Sequence, residues 1–189
     1  ELNFRFLELP QHAYFPGPLG ASLQTLSVTA KRALACAPFS LFSVPLTDPV
    51  SFSLVRDAEI ASTDAFPTEW VTAVSFFVWH LAHTDSFTLS MLCNLEEAHA
   101  ERLRSLSVTA VADIATGLAS AIRPRWTTNA YFWPAAIQCA ASFNAAGMQT
   151  LFCLGRQLLA RDHLAIPAVG REPRRKVPAA TVRAKPWKA

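Results

Sequence analysis

His80 and His83 stand three residues apart in "VWHLAH", and "EEAH" repeats that interval with Glu96 and His99. Side chains at i and i+3 share one face of a helix. Helix bundles use paired Glu-x-x-His sets of this kind to hold a carboxylate-bridged metal. Such a centre needs two of those pairs and further glutamates, whereas the apolar segments here add only Asp113. The histidines are therefore expected at the surface or partly buried, and no metal or other cofactor is expected. Nucleophilic chemistry has no better footing. There is no G-x-S-x-G elbow, no H-E-x-x-H pair and no phosphate-cradling glycine loop, which six glycines in the whole chain could hardly build. No carboxylate stands beside a convincing acid or base partner, so the expectation is a protein that is not an enzyme.

The clearest chemical pattern lies in the last twenty residues, "GREPRRKVPAATVRAKPWKA". Arg171, Arg174, Arg175, Lys176, Arg183, Lys185 and Lys188 face one acid, Glu172, so residues 171–189 carry +6 and the rest of the chain −3 of its overall +3. Pro173, Pro178 and Pro186 favour an extended chain, and Gly170 frees it from what precedes. Cations spaced along an extended chain can each meet a phosphate and release counterions, while Trp187 offers a face for stacking on a base. The expected partner is RNA, with a solvated terminus or a contact to protein or acidic lipid as alternatives. "RWTTNAYFW" adds Arg125 and Trp126 as secondary candidates, although such aromatics more often belong to a core.

These residues must be carried by a chain of 189 residues, enough for one domain with a real core. Apolar residues make up 51% and charged residues 16%, well below the roughly 25% charge of typical soluble domains. That balance points to a subunit of a larger assembly, or to a protein that touches a membrane. No spanning helix is expected. The uncharged stretch from Trp126 to Gly155 is interrupted by Asn129, Pro134, Gln138, Asn144, Gly147 and Gln149, and the run from Trp70 to Ala82 is too short. Cys36, Cys93, Cys139 and Cys153 are scattered among apolar neighbours without a CxxC pair, as small core residues in a reducing compartment would be. No signal peptide is visible in "ELNFRFLELPQHAYF".

Three regions follow from pattern. Residues 1–64 predict an extended arm: Leu2, Phe4 and Phe6, and later Val50, Phe52 and Leu54, alternate as half-buried strands do. Pro16, Gly17, Pro18 and Gly20 break the arm, and only a short helix near Gln24 to Ala37 is expected within it. Residues 65–163 predict a helical-hairpin domain. Its first helix follows Pro67 and turns Trp70, Val71, Val74, Phe77, Val78 and Leu81 inward. The second spans Ser86 to Arg104 from an Asp85 or Ser86 cap, with Met91, Leu92, Leu95 and Ala98 inward. The third spans Leu106 to Ile122 with Val108, Val111, Ile114, Leu118 and Ile122 on its face. A fourth ends at Gly147, and a fifth carries Leu151, Leu154 and Leu158. Residues 164–189 form the basic tail. The fold class is thus mainly α, a short repeat-like stack of helical hairpins between a partly β arm and an extended tail.

"LSVTA" occurs at Leu26 to Ala30 and again at Leu106 to Ala110. A shift of 80 residues puts Val111 on Lys31 and Leu118 on Pro38, so the identity is expected to be accidental. A shift of 40 instead puts Val111 on Val71, Ile114 on Val74 and Leu118 on Val78, the frame of a helix-pair repeat. "AVSFFVWHLAHTDSFTLSMLC" and "AIQCAASFNAAGMQTLFCL" align in the same spirit. With a helix such as "LSVTAVADIATGLASA" and a later "LFCLGRQLL", the stretch from Phe66 to Arg161 resembles the organellar helix-pair repeat proteins, the octotricopeptide and heptatricopeptide families. The resemblance implies an α-helical, RNA-associated protein of mitochondria or plastids, and transfers no base-reading residues. The function expected is a structural subunit of a large mitochondrial ribonucleoprotein such as the mitochondrial ribosome, in the matrix. Its partners would be RNA and neighbouring protein subunits, with no small-molecule substrate. The alternatives are an accessory subunit of a mitochondrial membrane complex and a self-assembling viral coat protein.

Overall fold

The computed structural model describes residues 1–10, 13–15, 17–44, 66–93, 95, 97–119 and 121–165. Among them are nine helices and one two-stranded ladder: α1 (Leu2–Glu8), α2 (Pro18–Gln24), α3 (Val28–Ala35), β1 (Phe42–Ser43), α4 (Thr68–Thr84), α5 (Ser86–Cys93), α6 (Glu97–Arg104), α7 (Val108–Leu118), β2 (Arg123–Pro124), α8 (Phe132–Ala141) and α9 (Ala145–Ala165). The mainly helical class is the one the sequence pattern leads to expect. None of the described helices is long and apolar enough to cross a membrane.

The N-terminal region departs from expectation. Leu2, Phe4 and Phe6 lie on a helix, not a strand, and α1 buries Phe6 and Leu7. Five residues are too few for alternation to separate the two periods, and Leu2 and Phe6 are also i, i+4 neighbours on a helix. Tertiary contacts decide the matter. The Asn3 side chain accepts from the Leu41 amide at 3.0 Å and donates to the Phe39 carbonyl at 2.8 Å, which seats α1 against the segment entering β1. The Phe6 ring lies 5.6 Å from Phe42 and 5.9 Å from Trp70, so this region packs on the chain's own helices. The expected strand at Val50, Phe52 and Leu54 lies outside the described residues.

Helix α4 begins right after Pro67 and buries Trp70, Val71, Val74 and Val78. Its buried side also takes in Ser75 and Ala82, leaving Phe77 40% exposed and Leu81 half-buried. Small residues are favoured there because α4 packs most extensively on α7 and also on α1, α5 and α6. The buried Ser75 hydroxyl is satisfied by donating to the Val71 carbonyl at 2.9 Å.

The helix expected from Ser86 to Arg104 is two helices. Asp85 caps the first, accepting from the Thr88 amide at 2.9 Å, and bonds from Thr88 hold its carboxyl below the ordinary aspartate range. The first ends at Cys93 and the second begins at Glu97. Beside this break the Leu92 carbonyl receives the Arg125 guanidinium at 3.3 Å and lies 2.8 Å from the Ser40 hydroxyl. The inward face changes accordingly: Leu89, Cys93, Leu95, Ala100 and Leu103 are buried, whereas Met91 and Ala98 are exposed.

Helix α7 buries Val111, Ala115 and Leu118 and leaves Val108 55% exposed. Both "LSVTA" copies perform one local task. Ser27 caps α3 by accepting from the Ala30 amide at 3.2 Å, and Ser107 caps α7 by accepting from the Ala110 amide at 3.2 Å. The shared pentapeptide is a helix-start signal at two places.

The C-terminal pair closes the core. Trp133 and Phe132 of α8 are fully buried, as are Ala136 and Ala140. Gly147 does not end α8; it lies in the first turn of α9, where a Cβ would stand 2.6 Å from Cys139 Sγ. Further along α9, a Cβ on Gly155 would come within 2.2 Å of the Phe39 ring. Both glycines are there for close approach of neighbouring groups.

Candidate functional site

Every member of the basic set read from the sequence, Arg171, Arg174, Arg175, Lys176, Arg183, Lys185, Trp187 and Lys188, lies outside the described residues. The described body places the secondary candidates firmly. Arg125 is 6% exposed and serves the fold: its Nε donates to the Phe42 carbonyl at 2.9 Å, and its Nη2 to that of Leu92. Burial pushes its pKa down from the ordinary arginine value, offset by the nearby Cys93 and Asp162. Trp126 is half-buried, and its indole N–H donates to Asp162 at 2.9 Å. Neither side chain is presented for stacking on RNA; both are core groups, because the 39–44 segment and α9 close over them.

The histidines do not converge on a site. His80 and His83 are exposed, and His83 Nδ1 lies 2.9 Å from the Trp79 carbonyl of its own helix. His99 is half-buried on α6, Asp113 is exposed on α7, and Glu96 lies outside the described residues. Among the described residues, no three potential metal ligands come together. The cysteine expectation needs correction: only Cys93 is buried, while Cys36 and Cys153 are exposed. Apolar sequence neighbours did not bury them: Cys36 is the C-cap residue beyond the end of α3, and Cys153 lies on the outward side of α9. Burial pushes the Cys93 thiol up to about 11, so it is a neutral core group at physiological pH.

A groove of about 320 Å³ runs beside Cys93 between α1, α4 and α5, with Leu2, Asn3, Phe77, Val78 and Leu92 among its walls. Its volume is at the low end for ligand pockets. The Asn3 amide is engaged by the 39–41 backbone and the Ser40 hydroxyl lies against carbonyls, so these two groups serve the fold. Glu1, also on the lining, is exposed and pairs with Arg5 at 3.4 Å, and the rest of the groove is mainly apolar.

What sequence periodicity missed is a set of large apolar side chains at the surface. Phe87 and Met91, four residues apart on α5, are 74% and 53% exposed, and Tyr131 is 78% exposed at the start of α8. Phe143 is the most specific of them. The α8 helix ends in a Schellman arrangement: the Phe143 amide donates to the Ala140 carbonyl at 3.3 Å and the Asn144 amide to that of Cys139 at 3.0 Å. Phe143 occupies the left-handed position of that motif, φ 52°, where glycine is usual. An L side chain there costs about 1–2 kcal/mol. Asn144 then caps α9, accepting from the Gly147 amide at 2.9 Å. One turn ends α8 and starts α9, and it holds an aromatic ring outward at 61% exposure. The only sequence signal for it was Asn144 followed by a helix-forming run.

The chain matches no protein-family model, no curated protein sequence and no solved structure.

Proposed function

We propose that the chain is a non-enzymatic structural subunit of a large mitochondrial ribonucleoprotein, such as the mitochondrial ribosome. The helical body packs on neighbouring protein subunits, and the segment from Arg171 to Lys188 follows RNA phosphates. The observation that carries this reading is the division of charge: seven cations against one acid in residues 171–189, on a chain otherwise poor in charge. A body that exposes Phe87, Met91, Tyr131 and Phe143 fits a subunit whose surface is completed by others. The mitochondrial part rests on the resemblance to the organellar helix-pair repeat families.

Salt dependence tests the RNA contact. Each phosphate neutralised on single-stranded RNA contributes about 0.7 to the slope of log affinity against log salt concentration. Removing residues 171–189 should flatten the slope measured with the full chain by several such increments; an unchanged slope sinks the assignment. Sedimentation from a gentle extract tests the assembly. A heavy particle that collapses with ribonuclease supports the ribonucleoprotein. One indifferent to ribonuclease but released by mild detergent assigns the chain to a membrane complex instead.

A further inference from the structure

We propose that the outer face of α9 is the folded part of the RNA interface, along which the phosphate backbone lies before it meets the basic tail. This rests on the reading of residues 171–189 as RNA-binding, and it extends that contact onto a rigid element. Helix α9 turns Met148, Leu151, Leu158 and Leu159 into the core and seats Gly155 against Phe39. On the opposite side Gln149, Thr150, Cys153, Arg156, Gln157 and Arg161 are exposed, at the i, i+3, i+4 spacing of one helical face. At the rise of an α-helix this stripe is about 18 Å long.

Charge decides what the face fits. No Asp or Glu occurs from Ile114 to Arg161, whereas Arg123, Arg125, Arg156 and Arg161 do. Residues 114–189 hold eleven Lys and Arg against two acids, a net +9, and residues 1–113 hold six against twelve, a net −6. The cationic part of the chain thus begins inside the folded body. On α9 the one acid is Asp162. Its Oδ2 accepts from the Trp126 indole at 2.9 Å and its charge lies near the buried Arg125. Arg161 stands 3.9 Å from the other oxygen, with 72% of its own side chain exposed. So long and open an ion pair is worth little, and Arg161 keeps its charge for a ligand. The Arg156 side chain has no hydrogen bond or ion pair with the described residues.

A protein partner would call for a large apolar anchor. Among the described residues, no large exposed apolar side chain lies on α9. Cations and amides along a helix suit a phosphate backbone instead: arginines neutralise its charge and glutamine amides donate to its oxygens. After Arg161 the next cation in the chain is Arg171, so the series of cations continues into the tail.

The test titrates a fluorescein-labelled, mixed-sequence single-stranded RNA with the full chain at several salt concentrations, beside Arg156→Gln/Arg161→Gln and a chain ending at Gly170. For the double variant the slope of log affinity against log salt should be smaller by about 1.4, two phosphates' worth, with an unchanged thermal midpoint. Cys153 gives a reading that needs no substitution: saturating RNA should slow its alkylation by neutral iodoacetamide several-fold. An unchanged slope in the double variant, or Cys153 alkylated equally fast with and without RNA, overturns the proposal and leaves the face to protein or solvent. A slope flattened by removing the tail but not by the double variant leaves the RNA reading standing without α9. Failure of the RNA reading itself shows differently, as a slope that removal of the tail does not flatten; a full chain that does not bind the RNA overturns both.

Discussion

The indole N–H of Trp133 donates to the carbonyl oxygen of Arg125 at 2.6 Å, while the guanidinium of the same arginine reaches the Phe42 carbonyl at 2.9 Å and the Leu92 carbonyl at 3.3 Å. One residue thereby joins α8, β1 and the end of α5. Its own amide extends the joint by donating to the Leu41 carbonyl at 2.9 Å. A buried cation is costly unless its donors are used; here the carbonyls take up its donors and the nearby Asp162 adds a favourable charge.

Replacing that guanidinium with an apolar side chain should therefore be expensive. Arg125→Met leaves the Phe42 and Leu92 carbonyls short of a donor, and a loss of about 2–4 kcal/mol is expected in urea unfolding. Trp133→Phe, which strands the Arg125 carbonyl and also leaves a cavity at a fully buried site, should cost about 2–4 kcal/mol. Because the two belong to one network, the double variant should lose less than the sum. An Arg125→Met protein within about 0.5 kcal/mol of the original would show that the network does not hold these elements together.

The serine caps provide a matched pair. Ser27→Ala and Ser107→Ala each remove one acceptor for a helix amide, and each should cost about 1 kcal/mol, whereas glycine at either place should cost only a few tenths. The caps stand on different helices and share no hydrogen-bond partner, so the two losses should add. Chemical denaturation of the two single variants and the double variant checks this. Equal stability of Ser27→Ala and the original chain would contradict the cap seen at α3.

Cys93 gives a pH dependence. Burial raises its folded pKa to about 11, against an ordinary thiol value of 9.0 in the unfolded chain. The folded state therefore holds the proton more tightly. This contribution is fully present below pH 9.0 and is lost as pH rises from there through about 11, by at most about 3 kcal/mol. The difference in stability between Cys93→Ala and the original should narrow across that interval. Native-state alkylation offers an independent check: exposed Cys36 and Cys153 should react readily and Cys93 only on unfolding. Reaction of Cys93 at the rate of Cys36 would contradict its burial.

Local pattern was sufficient where an element's own residues decide its form. The period of Trp70, Val71, Val74 and Val78 marked α4 and most of its buried face, and Leu151 and Leu158 marked that of α9. It failed where partners distant in sequence decide. A single helix from Ser86 to Arg104 turns Met91 inward, whereas the chain forms two helices there, leaves Met91 53% exposed, and has Arg125 and Ser40 against the Leu92 carbonyl from more than thirty residues away. Leu2 to Phe6 resembled a strand because Asn3's partners at Phe39 and Leu41 are invisible to a five-residue window.

Composition and a period of 3.6 residues are enough for the helical class, the poverty of charge in the body and the concentration of cations after Gly170. Only the tertiary structure decided that Arg125 is a buried strut and that Phe143 stands exposed on a strained turn. Burial and backbone strain depend on which distant groups compete for the same space and the same hydrogen bonds, and no local pattern of residue types records the outcome of that competition.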